Sequence, residues 1–275
     1  MEVRVGRTSV LFGLLVSFFR RCLFCILSRG PIPSHLAFIM DGNRRFAKKE
    51  NLETGIGHRA GFTALMSVLK YCCELGVKHV TFYAFSIDNF KRRPDEVQIL
   101  MDLMVEKAEG LMQQESIVNE YGIRVYFLGN LKLLSEPVQA AAEKVMKATA
   151  KNTKCMLLIC VAYTSTDEIR RAVQESCKGK IEISNPEAEL QGKRCRINLV
   201  DVEKHMYMAV APDPDIMIRT SGETRLSNFL LWQSSYCQLY SPDALWPEIG
   251  IWELVWAILS FQRNRFYLDK KKKHF

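Results

Sequence analysis

Short apolar runs alternate along the chain with stretches in which apolar residues recur every three or four positions. Leu36–Met40 reads as a strand. Residues 58–75 carry Phe62, Leu65, Met66 and Leu69 at helical spacing, with Gly76 placed as a C-cap. Val77–Ser86 is the next predicted strand. Pro94 sits where a first helical position prefers it, and Asp95 and Glu96 follow in the first turn of a long helix to about residue 119. Ile123–Leu128 is a strand, Ser135 caps a helix to about 150, and Cys155–Tyr163 is a strand. Thr166 opens a helix to about 177, and Ile216–Ile218 forms a further strand. Repeated alternation of this kind predicts an α/β fold with a largely parallel sheet. Residues 178–196 are polar and aperiodic and read as a surface excursion.

The N-terminus has its own pattern. Residues 9–27, SVLFGLLVSFFRRCLFCIL, are strongly apolar but interrupted by Arg20 and Arg21. The unbroken part, Val10–Phe19, is too short for a bilayer-spanning helix. No small-residue cleavage site follows, so an interfacial helix suits the segment better than a signal peptide. A helix packing on its own domain or on a partner is the alternative. Gly30–Pro33 reads as a stiff linker. The expected organisation is therefore 1–30 as a membrane-associating helix, 31–268 as one catalytic domain, and 269–275 as a basic tail.

Composition narrows the partners. The chain has 275 residues with 38 basic and 30 acidic side chains, a net +8, which favours anionic partners: nucleic acid, a membrane surface or phosphorylated small molecules. No nucleic-acid module with interleaved aromatics is present. Nine cysteines, an odd number without framework spacing, argue for a reducing compartment. Cys22 and Cys25 form one CxxC, beside the apolar helix where acylation is chemically possible, but nothing completes a zinc site.

The chemistry-bearing residues collect where predicted strands end, the edge at which open α/β sheets hold ligands. Asp41, Gly42 and Asn43 follow the first strand, with Arg44 and Arg45 behind them. Ser86, Asn89 and Arg92 follow the second, in SIDNFKRRP. Arg219, Arg225 and Ser227 lie in IRTSGETRLS after a late strand. Two arginines around a Ser-Gly turn can fork onto a diphosphate. A single carboxylate among cations suits Mg²⁺, which takes much of its shell from water and substrate phosphates. His58, at a helix start, is a candidate acid, base or phosphate donor. The GxGxxA at Gly55–Ala60 lacks an immediately preceding strand, there is no P-loop, and no DDxxD pair of the all-helical prenyl synthases occurs.

Taken in order, HLAFIMDGNRRFAKK, GHRAG, YAFSIDNFKR, DIMIRTSGETRLSNFLLWQ and LWPE resemble the motif set of cis-prenyltransferases, the undecaprenyl, dehydrodolichyl and rubber-type polyprenyl diphosphate synthases. The resemblance covers roughly residues 30–265 and is closest to plant members. It implies a single α/β domain whose helices surround the sheet and enclose a hydrophobic tunnel, walled in part by residues 97–112. It further implies that Asp41 binds Mg²⁺ and the allylic diphosphate, cradled by Gly42, Asn43 and Arg45 with Arg44 nearby. His58, Ser86 and Asn89 would line the reacting centre, with Asp41, Asn43, His58 and Asn89 as the catalytic set. Arg92, Arg219, Arg225 and Ser227 would hold isopentenyl diphosphate.

Two departures stand out. Bacterial members carry a metal-binding glutamate where Gln238 stands. Homodimeric members end in Arg-x-Gly, where this chain reads Arg265-Phe266-Tyr267. The second departure implies a heteromer with a catalytically silent Nogo-B-receptor-like subunit. The expected location is the cytosolic face of the endoplasmic reticulum, with the cytosol or a lipid- or rubber-particle surface as alternatives. A silent, scaffolding chain would have lost Asp41 or the arginine cluster; this one keeps both.

Overall fold

In a computed structural model, describing residues 7–112, 117–183 and 197–272, six parallel strands form one sheet in the order β3-β4-β2-β1-β5-β6. The strands are β1 (His35–Ile39), β2 (His79–Ser86), β3 (Ile123–Leu128), β4 (Cys155–Tyr163), β5 (Ile216–Arg219) and β6 (Gln238–Tyr240). The helices are α1 (Arg7–Leu27), α2 (Asn43–Lys49), α3 (Thr54–Glu74), α4 (Pro94–Leu111), α5 (Ile117–Glu120), α6 (Glu136–Ala148), α7 (Ser165–Ile183), α8 (Leu199–Glu203) and α9 (Ile251–Lys272).

β1 is buried along its whole length because both faces of the sheet are covered. Leu36 and Phe38 face a core shared with α3, α4, α6 and α9, while Ala37 and Ile39 face a second core built around Tyr163 and Phe229. Phe38 stacks on Phe82 at 5.1 Å, and Trp246 packs edge-on against both rings. Burying aromatics of this size supplies a large part of the apolar stabilisation.

The expected alternation is present, with several corrections. α3 begins at Thr54 rather than 58, so Gly55 and Gly57 are helical despite their poor propensity; tertiary packing overrides it. α4 ends at Leu111 and a separate short α5 follows, while 113–116 lie outside the described residues. α7 continues to Ile183, so the expected excursion at 178–196 starts inside a helix, and its remainder from 184 lies outside the described residues. α2, α8, β6 and α9 have no counterpart in the apolar pattern.

α1 is half docked. Phe24 and Leu27 are buried in the main core, and Arg20 pairs with Glu74 at 2.9 Å. Leu14, Leu15, Phe18, Phe19 and Ile26 are exposed, and no described helix is long and apolar enough to cross a membrane. The Gly30 turn is pinned by Gln262, whose amide donates to the carbonyls of Leu27 and Pro31.

Candidate active site

β1 lies between β2 and β5, so three strand ends converge, and with them three segments far apart in sequence. All twelve candidate residues line one cavity of about 620 Å³ at this edge: Asp41, Gly42, Asn43, Arg44, Arg45, His58, Ser86, Asn89, Arg92, Arg219, Arg225 and Ser227.

Asp41 is the centre of its charge. Arg219 Nη2 donates to Oδ2 at 2.7 Å, Arg45 Nη2 to Oδ1 at 3.3 Å, and Arg225 Nη2 lies 3.9 Å from Oδ2. Partial burial alone would push the Asp41 carboxyl up; the Arg219 hydrogen bond and the Arg219 and Arg45 charges outweigh it and hold the group below its ordinary value. The backbone of Asp41 is clamped as well. Its carbonyl accepts from Thr220 Oγ1 at 2.6 Å and from Trp246 N at 2.9 Å. Gly42 turns the chain out of β1 at φ 116°, and a Cβ there would lie 3.0 Å from the Leu245 backbone, so only glycine fits.

Arg219 is buried, and its guanidinium also donates through Nη1 to Ser227 Oγ at 2.7 Å and to the Arg225 carbonyl at 2.5 Å. Arg45 also bonds Ser221 Oγ, and Arg225 pairs with Glu223. On the β2 side, Ser86 and Asn89 form a reciprocal cap: Ser86 N donates to Asn89 Oδ1 at 2.9 Å, and Asp88 N to Ser86 Oγ at 3.1 Å. Arg92 pairs with Glu96 at 2.8 Å, and Arg44 lies 3.9 Å from the same carboxylate.

His58 Nε2 and Asn43 Oδ1 are buried without a hydrogen-bond partner. Burial, reinforced by the Arg92 charge, lowers the His58 pKa to about 4, so its imidazole is neutral near pH 7. Both residues also line a second cavity of about 130 Å³, walled by Phe62, Leu65, Leu103, Met104, Ala108 and Leu111 of α3 and α4. Met40, Asn43, His58, Ala84 and Leu100 line both cavities, so the cationic pocket opens onto an apolar slot. The apolar wall expected from 97–112 is there.

The two departures resolve differently. Gln238 is level with Ile216 and hence Leu36, at the amino end of the sheet, where it donates to Ser260 Oγ at 2.7 Å. It takes no part in the Asp41 cluster. Arg265 lies on α9, bonded to Asp269 at 2.8 Å, with Phe266 and Tyr267 exposed. Thr220, Ser221 and Glu223 lie within the arginine motif, and only the fold shows that they bond Asp41, Arg45 and Arg225. Trp246 lies in the LWPE motif, but nothing in that motif marks it as a clamp on Asp41; only the fold brings the two together.

A family model described as putative undecaprenyl diphosphate synthase matches residues 39–267. The chain belongs to this family, the cis-prenyltransferases. It is 60% identical to dehydrodolichyl diphosphate synthase 6 of Arabidopsis thaliana over 98% of this chain and 95% of that one. It is 55% identical to rubber cis-polyprenyltransferase HRT2 of Hevea brasiliensis, covering 100% and 99%. It is 44% identical to the human dehydrodolichyl diphosphate synthase complex subunit DHDDS, covering 90% and 73%. Among solved structures, lavandulyl diphosphate synthase from Lavandula x intermedia, in complex with dimethylallyl diphosphate, superposes with a TM-score of 0.74 at 28% identity, covering 84% and 95%.

Proposed function

We propose that this chain is the catalytic subunit of a long-chain cis-polyprenyl diphosphate synthase, condensing isopentenyl diphosphate onto an allylic diphosphate such as farnesyl diphosphate, for dolichol or rubber-type products. One observation carries the reading: an arginine-lined pocket around Asp41 opens directly onto an apolar slot between α3 and α4. A molecule with a diphosphate head and a hydrocarbon tail matches that junction.

The residues then divide the work. Arg45, Asn43 and the Gly42 turn hold the allylic diphosphate, while Arg219, Arg225, Ser227 and Arg92 hold the homoallylic one. The allylic C–O bond breaks and its electron pair leaves with pyrophosphate, whose growing charge the arginines stabilise. The alkene of isopentenyl diphosphate attacks the allylic carbon, and a proton is lost to form the new cis double bond. His58, neutral and with a free nitrogen at the mouth of the slot, is placed to accept that proton.

Mg²⁺ fits this site as a shared ligand rather than a caged ion. No group of three or more metal-binding side chains occurs among the described residues, and Asp41 supplies one carboxylate beside the diphosphate pocket. When bound, the ion would neutralise the departing pyrophosphate.

The human relative is named as a complex subunit. The proposed partner here is an accessory, Nogo-B-receptor-like chain that supplies the phosphate-reaching group Arg265 does not provide. The exposed apolar face of α1 supports attachment to the cytosolic face of the endoplasmic reticulum or to a lipid-particle surface. The test is co-expression with candidate accessory subunits, then measurement of polyprenyl products from labelled isopentenyl diphosphate, farnesyl diphosphate and Mg²⁺. Full activity of the purified chain alone would remove the heteromer; activity in Asp41→Ala would remove the site assignment.

A further inference from the structure

Between Arg225 and Leu231 the chain makes an unusual turn. Ser227, Asn228 and Leu230 have φ of 48°, 58° and 45°, left-handed values that side-chain-bearing residues rarely adopt, Asn being the most tolerant of them. Such a segment keeps its shape only when its surroundings hold it.

They do so through the first turn of α7. Asn228 Oδ1 accepts from both the backbone N and the Oγ1 of Thr166, each at 3.1 Å. Ser165 N donates to the Asn228 carbonyl at 2.8 Å, and Leu231 N donates to Ser165 Oγ at 2.9 Å. Phe229, fully buried, stacks on Tyr83 at 4.4 Å and packs edge-on against Tyr163.

The next residue back is Ser227, whose Oγ meets Arg219, which in turn holds Asp41. A path therefore runs by hydrogen bonds from Thr166 to Asn228, along the chain from Asn228 to Ser227, and by hydrogen bonds again to Arg219 and Asp41. Thr166 itself is outside the lining of the cationic cavity.

We propose that Asn228 is a positioning residue: pinned by Thr166, it sets the left-handed turn that aims Ser227 and the Arg225 carbonyl at Arg219, and so tunes the affinity of this cradle for a diphosphate. This rests on the reaction assigned above only for the identity of the substrate. Asn228 also lines the cavity, so direct contact with substrate is the rival role.

The experiment uses the full chain with its accessory subunit and compares Asn228→Ala, Asn228→Gly, Thr166→Val and Thr166→Val/Asn228→Ala. The expected result for Asn228→Ala is a KM for isopentenyl diphosphate raised about tenfold or more, with kcat and the KM for the allylic diphosphate within about threefold. Asn228→Gly, which is free of the backbone strain, should melt higher than Asn228→Ala yet show the same KM defect. Thr166→Val should raise the same KM by about threefold, and the double variant should be no worse than Asn228→Ala. Inorganic pyrophosphate binding, followed by calorimetry, should weaken in parallel. An unchanged KM in Thr166→Val, or fully additive effects in the double variant, would overturn positioning in favour of direct contact. Equal losses for both substrates, or in kcat, would overturn it as well. If wild type binds pyrophosphate but forms no polyprenyl product, the reaction assignment fails, while the pyrophosphate arm still decides the role of Asn228.

Discussion

Arg219 and Asp41 meet across the ends of neighbouring strands, Nη2 to Oδ2 at 2.7 Å, with 7% of the arginine side chain exposed. A buried guanidinium that also donates to Ser227 and the Arg225 carbonyl is locked in orientation, its fork shared among these partners at the cavity wall. Lysine cannot reproduce that fork. Arg219→Lys is expected to raise the KM for isopentenyl diphosphate at least tenfold, and Asp41→Ala to lower kcat at least a hundredfold, in steady-state assays with labelled substrate. Wild-type rates in either variant would break the assigned roles.

Two buried histidines carry consequences for pH. Burial lowers both His58 and His35 to about 4; His35 is fully buried, bonded to the Pro212 carbonyl and Thr81 Oγ1. A depressed histidine binds fewer protons folded than unfolded, so its stability contribution is complete above about pH 6.5 and is lost as pH falls toward 4. For His35 the loss approaches about 3 kcal/mol at pH 4. Urea melts at pH 7 and 4.5 should show this drop, with a shallower slope in His35→Gln.

For activity no step from His58 is expected near neutral pH. His58 stays neutral across the neutral range, so a side-chain NMR titration should show no midpoint between pH 6 and 8 for it. His58→Gln, which keeps much of the side chain's size but not its basicity, should lose kcat as His58→Ala does; rescue by Gln would remove the proton-accepting role.

Gly61 and Gly110 make a controlled pair. A Cβ at Gly61 would lie 2.2 Å from Asn43 Oδ1 and 3.0 Å from the Trp246 ring, while one at Gly110 meets nothing within 4 Å. Gly61→Ala should cost about 1–3 kcal/mol and most of the activity by displacing Asn43. Gly110→Ala, on α4, should be neutral for activity and gain up to about 1 kcal/mol. Thermal melts and initial rates on the two variants decide.

The apolar slot should control product length. Ala108 is buried on its α4 wall, so a ring placed there would occupy the slot. Ala108→Phe is expected to shift labelled products to shorter chains at an undiminished rate for the first condensation, read by thin-layer chromatography of the dephosphorylated alcohols. Unchanged lengths would remove the slot from the elongation path.

The projecting face of α1 should bind lipid. Phe18→Ser/Phe19→Ser removes two exposed rings without touching Phe24 or Leu27, the buried anchors. Liposome flotation should fall severalfold at unchanged melting temperature.

Much of this was legible in the chain itself. Apolar periodicity reports burial locally, so five of the six strands and the longer helices α3, α4, α6 and α7 between them could be read, while the short α2 and α8 could not. The strand-end positions of Asp41, Ser86 and Arg219 followed, and those ends mark the ligand edge of any open α/β sheet. β6 was not legible because it is three residues long, and α9 because its exposed Trp252 and Trp256 blur the helical pattern. Strand order depends on which faces pack together across the whole chain. That order alone set β5 against β1 and brought Arg219 within 2.7 Å of a carboxylate 178 positions away. The neutrality of His58 and the clamp of Trp246 on Asp41 likewise come from burial and long-range packing. Which residues can do the chemistry, and that they stand at strand ends, is set locally along the chain; which of them touch is set by long-range packing.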